Sequence, residues 1–145
     1  DDFSITDNFY IIVCTEVLVH LINPIKMVEN IKKLMKNDGV ALISLPNVNT
    51  IYHRIMVLLG KGIDMSAFEL YKHLHLPTAK QSEKFIGNYF KIIKKDYYIN
   101  PSAQGSSNEW LGTLLTKVPD SIWEKLAKML PGLFARGIIF LCCKL

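Results

Sequence analysis

Apolar and polar positions along the chain fall into blocks with distinct periods. Phe9-Tyr10-Ile11-Ile12-Val13-Cys14 is apolar without interruption, after a turn signal at Asp7-Asn8. A continuous run differs from the alternation of a half-solvated strand and predicts a strand covered on both faces. From Asn23 to Lys36 the apolar residues Ile25, Val28, Ile31, Leu34 and Met35 recur at helical spacing. Asn23 can cap that helix, and Pro24 stands where a missing N–H costs nothing. Asn37-Asp38-Gly39 is expected to end it, with Gly39 taking a positive φ. Val40 to Leu45 is a second apolar strand, closed by Pro46-Asn47. Strand, amphipathic helix, glycine turn and strand make a βαβ unit with parallel strands and a right-handed crossover.

Beyond Asn47 the spacing predicts a helix over Asn49–Leu59, broken by Gly60-Lys61-Gly62. A looser stretch runs from Ile63 to Pro77 and holds Tyr71, His73 and His75. Thr78 is placed to cap a helix reaching about Tyr89, and Phe90 to Ile99 reads as a strand. Pro101 to Asn108 is a polar loop. Trp110–Val118 and Ser121–Leu130 read as amphipathic helices separated by Pro119, the second stopped by Pro131-Gly132. Gly137 to Leu145 is a last strand. Strands and helices in this order define an α/β domain, and no internal repeat is visible.

Composition narrows the class. The 145 residues are 50% hydrophobic and 21% charged, which fits one compact domain, or part of one, and excludes wholesale disorder. No apolar run approaches the roughly 18 residues of a membrane span. The net charge of +4 comes from lysines scattered in small groups, which points to solvated helix faces and not to a nucleic-acid surface. Cys14, Cys142 and Cys143 are a poor disulfide framework and read as reduced thiols of a cytoplasmic protein. The chain opens at Asp1 with no initiator Met, so it is expected to begin inside a larger product.

The run Phe9-Tyr10-Ile-Ile-Val-Cys-Thr-Glu-Val-Leu-Val-His-Leu, then Asn23-Pro24, Lys36-Asn37-Asp38-Gly39 and Leu42-Ile43-Ser44-Leu45-Pro46-Asn47, resembles the C-terminal half of class I S-adenosylmethionine-dependent methyltransferases. Tyr71-Lys-His-Leu-His-Leu-Pro-Thr is similar to a later segment of the same family. The resemblance covers about Asp7 to Ile99 well and the end more loosely. It implies a Rossmann-like sheet of which the chain holds strands four to seven, the last antiparallel and inserted beside the fifth. It also implies two insertions, a lid-like one at 47–77 and a helical one at 101–136. The family's first three strands, its glycine-rich cofactor loop and its ribose-binding acid have no counterpart here, since no G-x-G-x-G occurs. The fragment alone is therefore expected to be inactive, and its first strand to lie at an open apolar edge.

The resemblance places S-adenosylmethionine beyond the carboxyl ends of the strands, against Cys14, Thr15, Glu16 and Val17. It puts His20 beside the reacting groups, where an imidazole can act as general base, four residues from Glu16 and on its face if that turn is helical. Asn47, Tyr52, Tyr71 and His75 are the candidate acceptor contacts. Relatives that hold a divalent ion use E-x-x-E-H plus a later His. Here Val19 stands for the second Glu, with His73 or His75 as the later imidazole, so no metal is expected. Asp1 or Asp2 matches the family's adenine-contacting Asp, with short spacing to Phe9. For each site the plainer alternative is a structural loop or packing role. The expected partner is a small-molecule acceptor, with contact to a hydrophobic substrate or a membrane surface, and without nucleic acid. The rival reading is a non-enzymatic half-domain that pairs with a partner, or with itself, through the open edge.

Overall fold

The computed structural model describes residues 7–61, 73–99, 117 and 119–145. Asp1, Asp2 and Tyr71, the polar loop 101–108, the expected helix Trp110–Val118 apart from Lys117 and residues 62–72 of the lid-like insertion lie outside the described residues. Four strands form one sheet: β1 (Phe9–Thr15), β2 (Met35–Pro46), β3 (Phe90–Tyr98) and β4 (Gly137–Lys144). Their order is β1-β2-β4-β3. β1 and β2 pair in parallel, while β4 runs antiparallel to both β2 and β3. The last strand is thus inserted between the second and the third, as the resemblance implies.

The helices are α1 (Pro24–Leu34), α2 (Ile51–Leu58), α3 (Ala79–Gly87), α4 (Asp120–Met129) and the short α5 (Pro131–Phe134). None of them is long and apolar enough to cross a membrane. Asn23 caps α1 by accepting from the Lys26 N–H at 3.0 Å, and Val28 and Ile31 turn into the core. Thr78 and Gln81 cap α3 reciprocally: each side-chain oxygen accepts from the other residue's backbone N–H. The core gathers Val28 and Ile31 with Met35, Ile43, Ile86 and Phe140, all nearly or fully buried. β2, flanked by β1 and β4, is a central strand and adds Met35, Ala41, Ile43 and Leu45 to this packing.

Two expectations change. The α1–β2 junction is not a glycine-capped turn. Met35 passes directly into extended backbone, and β2 begins there and not at Val40. Between the pairs Phe9↔Met35 and Ile11↔Val40 the register shifts, so Lys36 to Gly39 bulge from the ladder. Gly39 does not take a left-handed φ. It is needed for space: a Cβ there would lie 2.9 Å from the Phe9 carbonyl oxygen and 3.1 Å from that of Tyr10. β1 is also not covered on both faces. It is the edge strand, and Tyr10, Ile11 and Val13 are 57%, 67% and 61% exposed among the described residues. Tyr10 is shielded in part by the Lys36 ammonium, 3.8 Å above its ring.

The three cysteines are free thiols. Burial raises the pKa of Cys14, and burial followed by the neighbouring Cys143 raises that of Cys142 to about 11.

Gly39→Ala is expected to destabilise the protein by about 1–3 kcal/mol in urea unfolding, because the atoms its Cβ meets are backbone and cannot swing aside. Cys142 makes stability pH-dependent. Its folded pKa lies above its unfolded one, so its contribution is complete below the unfolded value and shrinks as pH rises toward the folded value. The stability difference between wild type and Cys142→Ala should therefore be smaller at about pH 10.5 than at about pH 8.

Candidate functional site

The carboxyl ends of the parallel strands β1 and β2 lie side by side, with Thr15 paired to Ser44. The chain leaves β1 through Glu16, whose φ of 57° is the left-handed value that non-glycine residues rarely adopt. Four hydrogen bonds hold it. The Glu16 N–H donates to the Ser44 carbonyl at 3.2 Å and to Ser44 Oγ at 3.1 Å. Ser44 Oγ donates to Glu16 Oε1 at 2.7 Å, and the Tyr98 hydroxyl donates to the same oxygen at 2.8 Å. Burial, then the bond to Glu16 and its charge, push the Tyr98 pKa far up, so the phenol remains a donor. Tyr98 reaches across β4 because Gly137 has no side chain; a Cβ there would overlap the Tyr98 ring. One residue from each strand or strand end therefore meets at this knot.

Of the expected cofactor contacts, Thr15 and Val17 carry exposed side chains, whereas the Cys14 thiol is buried and the Glu16 carboxylate is engaged by Ser44 and Tyr98. The left-handed Glu16 also breaks the helical turn that would align it with His20. Residues Leu18–His20 form a 3₁₀ turn instead, with Leu18 and Val19 in the core and His20 exposed. The His20 ring lies 4.8 Å from that of His73, centroid to centroid. The end of the lid-like insertion folds back on this turn: the Leu74 and His75 N–H groups both donate to the Val19 carbonyl. His75 Nε2 donates to the Leu21 carbonyl at 2.9 Å, which requires the tautomer with hydrogen on Nε2. Among the described residues no three His, Cys, Asp or Glu side chains gather as a metal set would need.

Asn47 and Tyr52, expected to contact the acceptor, are both buried. Asn47 is occupied within the protein. Its Nδ2 donates to the Ala135 carbonyl at 2.8 Å and the Pro131 carbonyl at 3.3 Å. Its Oδ1 accepts from the N–H groups of Asn49 and Ala79, and its own N–H donates to the Arg136 carbonyl. With the Val48 N–H on the Pro77 carbonyl and the Arg136 N–H on the Tyr98 carbonyl, these bonds close the roots of both insertions. Asn47 thus stands where the two insertions meet and acts on the site by holding them.

Beside the 3₁₀ turn lies a groove of about 640 Å³. Leu18, Val19, Ile22, Leu45, Leu76 and Phe85 make it largely apolar, with His75 and Gln81 as polar elements. Ser82 also lines it. The Ser82 hydroxyl is 1% exposed and is the one buried side-chain polar atom among the described residues without a partner. Sequence reasoning passed over Ser44, Ser82, Tyr98 and Gly137. Each is ordinary in isolation, and only strand register and helix packing make it distinctive.

Comparison with known proteins agrees with this fold. Residues 4–89 match the sequence profile of the family described as "Methyltransferase domain". A ubiquinone biosynthesis O-methyltransferase of Glaesserella parasuis is 28% identical over 108 residues, which are 66% of this chain and 45% of that protein. An S-adenosylmethionine-dependent methyltransferase from Clostridium acetobutylicum superposes with a TM-score of 0.52 at 14% identity, over 99% of this chain and 61% of its own. PKMT2 from Rickettsia typhi, in complex with AdoHcy, superposes with a TM-score of 0.50 at 16% identity, over 99% of this chain and 37% of its own. The sheet is that of the Rossmann-like methyltransferases. The chain belongs to the methyltransferase domain family, and it spans 45% of the length of the curated relative it matches.

Asn47→Ala should cost about 2–4 kcal/mol in chemical denaturation, because it strands several backbone groups at the two insertion roots.

Proposed function

We propose that the chain is the carboxyl-terminal part of an S-adenosylmethionine-dependent methyltransferase domain that transfers a methyl group to a small-molecule acceptor with an apolar body. The observation that carries this reading is the site's layout. The end of β1, where open α/β sheets take their ligands, lies next to an apolar groove that holds one unpartnered hydroxyl. The name of the relative from Glaesserella parasuis supports a small acceptor, and the bound AdoHcy of the Rickettsia protein supports the cofactor. The exposed apolar edge of β1 supports a domain completed by further strands, because uncovered apolar edges invite aggregation.

The donor set here fits one wall of such a site. Thr15 and Val17 offer exposed side chains at the β1 end, and Glu16 is braced from behind. When bound, the cofactor supplies an electrophilic methyl group on a sulfonium. The chain's own contribution is alignment and exclusion of water. The groove takes the acceptor's apolar body, with Ser82 and His75 orienting its polar end. His20, exposed on the 3₁₀ turn beside His73, accepts the proton that leaves an acceptor hydroxyl.

The experiment is to read the gene upstream of the Asp1 codon, express the complete product and supply it with methyl-labelled S-adenosylmethionine and a cell extract. The reading expects at least two further βα units upstream, about 60 residues or more, and label in extractable small molecules. Label confined to protein or nucleic acid would refute the acceptor class, and no binding of S-adenosylmethionine would refute the reading as a whole. In the complete enzyme His20→Asn should lower kcat by about 100-fold or more while leaving S-adenosylhomocysteine affinity within about twofold.

A further inference from the structure

We propose that Tyr98 is a positioning residue for the cofactor loop: its phenol holds Glu16 in the left-handed conformation that shapes Thr15–Val17, and couples the root of the second insertion to that loop. The inference rests on the methyltransferase reading above and deepens it.

A left-handed Glu is unfavourable by itself and persists only where its surroundings over-determine it. Ser44, from the neighbouring strand, ties down the backbone and one carboxylate oxygen. Ser44 alone holds Glu16 to β2. The bond from Tyr98 comes from the opposite edge of the sheet, across β2 and β4, and is charge-assisted and short at 2.8 Å. The path across β4 is open only because position 137 is glycine, where any side chain would displace the ring.

Tyr98 is also the last residue of β3, from which the second insertion departs, and its carbonyl accepts from Arg136 where that insertion returns. Side chain and backbone of one residue thus join the cofactor loop to the insertion root. Movement at that root reaches Glu16 through a single rigid ring. A phenol serves here better than a longer flexible donor because it keeps its proton and has few rotamers to lose.

The test uses the complete protein and S-adenosylhomocysteine as the probe, measured by calorimetry for wild type, Tyr98→Phe, Glu16→Gln and the double variant, with Tm recorded for each. Tyr98→Phe removes one hydroxyl and keeps the ring. It should weaken S-adenosylhomocysteine about tenfold and raise KM for S-adenosylmethionine similarly, with kcat at saturation nearly unchanged. The double variant should be no weaker than the weaker single one, since both break the same strut. Gly137→Ala, which keeps the tyrosine but pushes its ring and hydroxyl aside, should reproduce the loss. If wild type binds and Tyr98→Phe binds within twofold of it, with or without a fall in Tm, the strut is structural only and the proposal fails while the cofactor reading stands. Additive losses in the double variant would overturn it as well. If wild type does not bind the probe, the methyltransferase reading and this inference fall together.

Discussion

The side chain of Asn47 is the constraint on which the site depends. It stands at the end of the central strand β2, fully within the protein, and uses both of its polar atoms on backbone groups. The groups on Nδ2 belong to the α5 region, where the second insertion returns. Those on Oδ1 belong to the start of α2 and to α3, which bracket the first. A buried amide that lost these partners would leave donors and acceptors stranded on both insertions at once. The two excursions from the sheet are therefore fastened to the strand end beside which the candidate site lies.

A second fastening lies one strand over. Glu16, Ser44, Tyr98 and Gly137 make a strut across the sheet at its carboxyl end. Together with Asn47 it explains how a loop in an unfavourable backbone conformation and the roots of two insertions are held at the sheet. It also separates tasks among the residues near β1. Glu16 faces inward as a brace, Thr15 and Val17 face outward, and His20 is carried on a short 3₁₀ turn whose other residues are buried. The groove beneath that turn owes its apolar walls to Leu18 and Val19, so the residues that anchor the turn also shape the space beside it.

The edge of β1 is the counterpart of these fastenings. Its side chains are as apolar as those of the central strand, yet several stand exposed. A strand with that composition is suited to a neighbour on its free side. The chain's span of less than half of its curated relative is in keeping with that composition.

Much of the fold was legible in the chain itself. Continuous apolar runs marked Phe9–Cys14 and Val40–Leu45 as strands, helical spacing and an Asn-Pro start marked α1, and Thr78 announced α3, because each of these signals is local. Order along the chain was enough for a βαβ unit, and the resemblance carried by a few spaced motifs was enough for the antiparallel last strand. The tertiary structure alone decided which polar residues stand exposed and which are engaged within the protein. Nothing near Asn47 in sequence indicates that its partners lie 84 to 88 residues away. Nothing near Glu16 indicates that Tyr98, 82 residues on, will reach it over a glycine. Gly39 reads as a turn residue until the register shows two carbonyls where its side chain would be. Periodicity reports which face of an element is buried; the partner on that face is set by how elements far apart in sequence come together, and that is a property of the packed sheet.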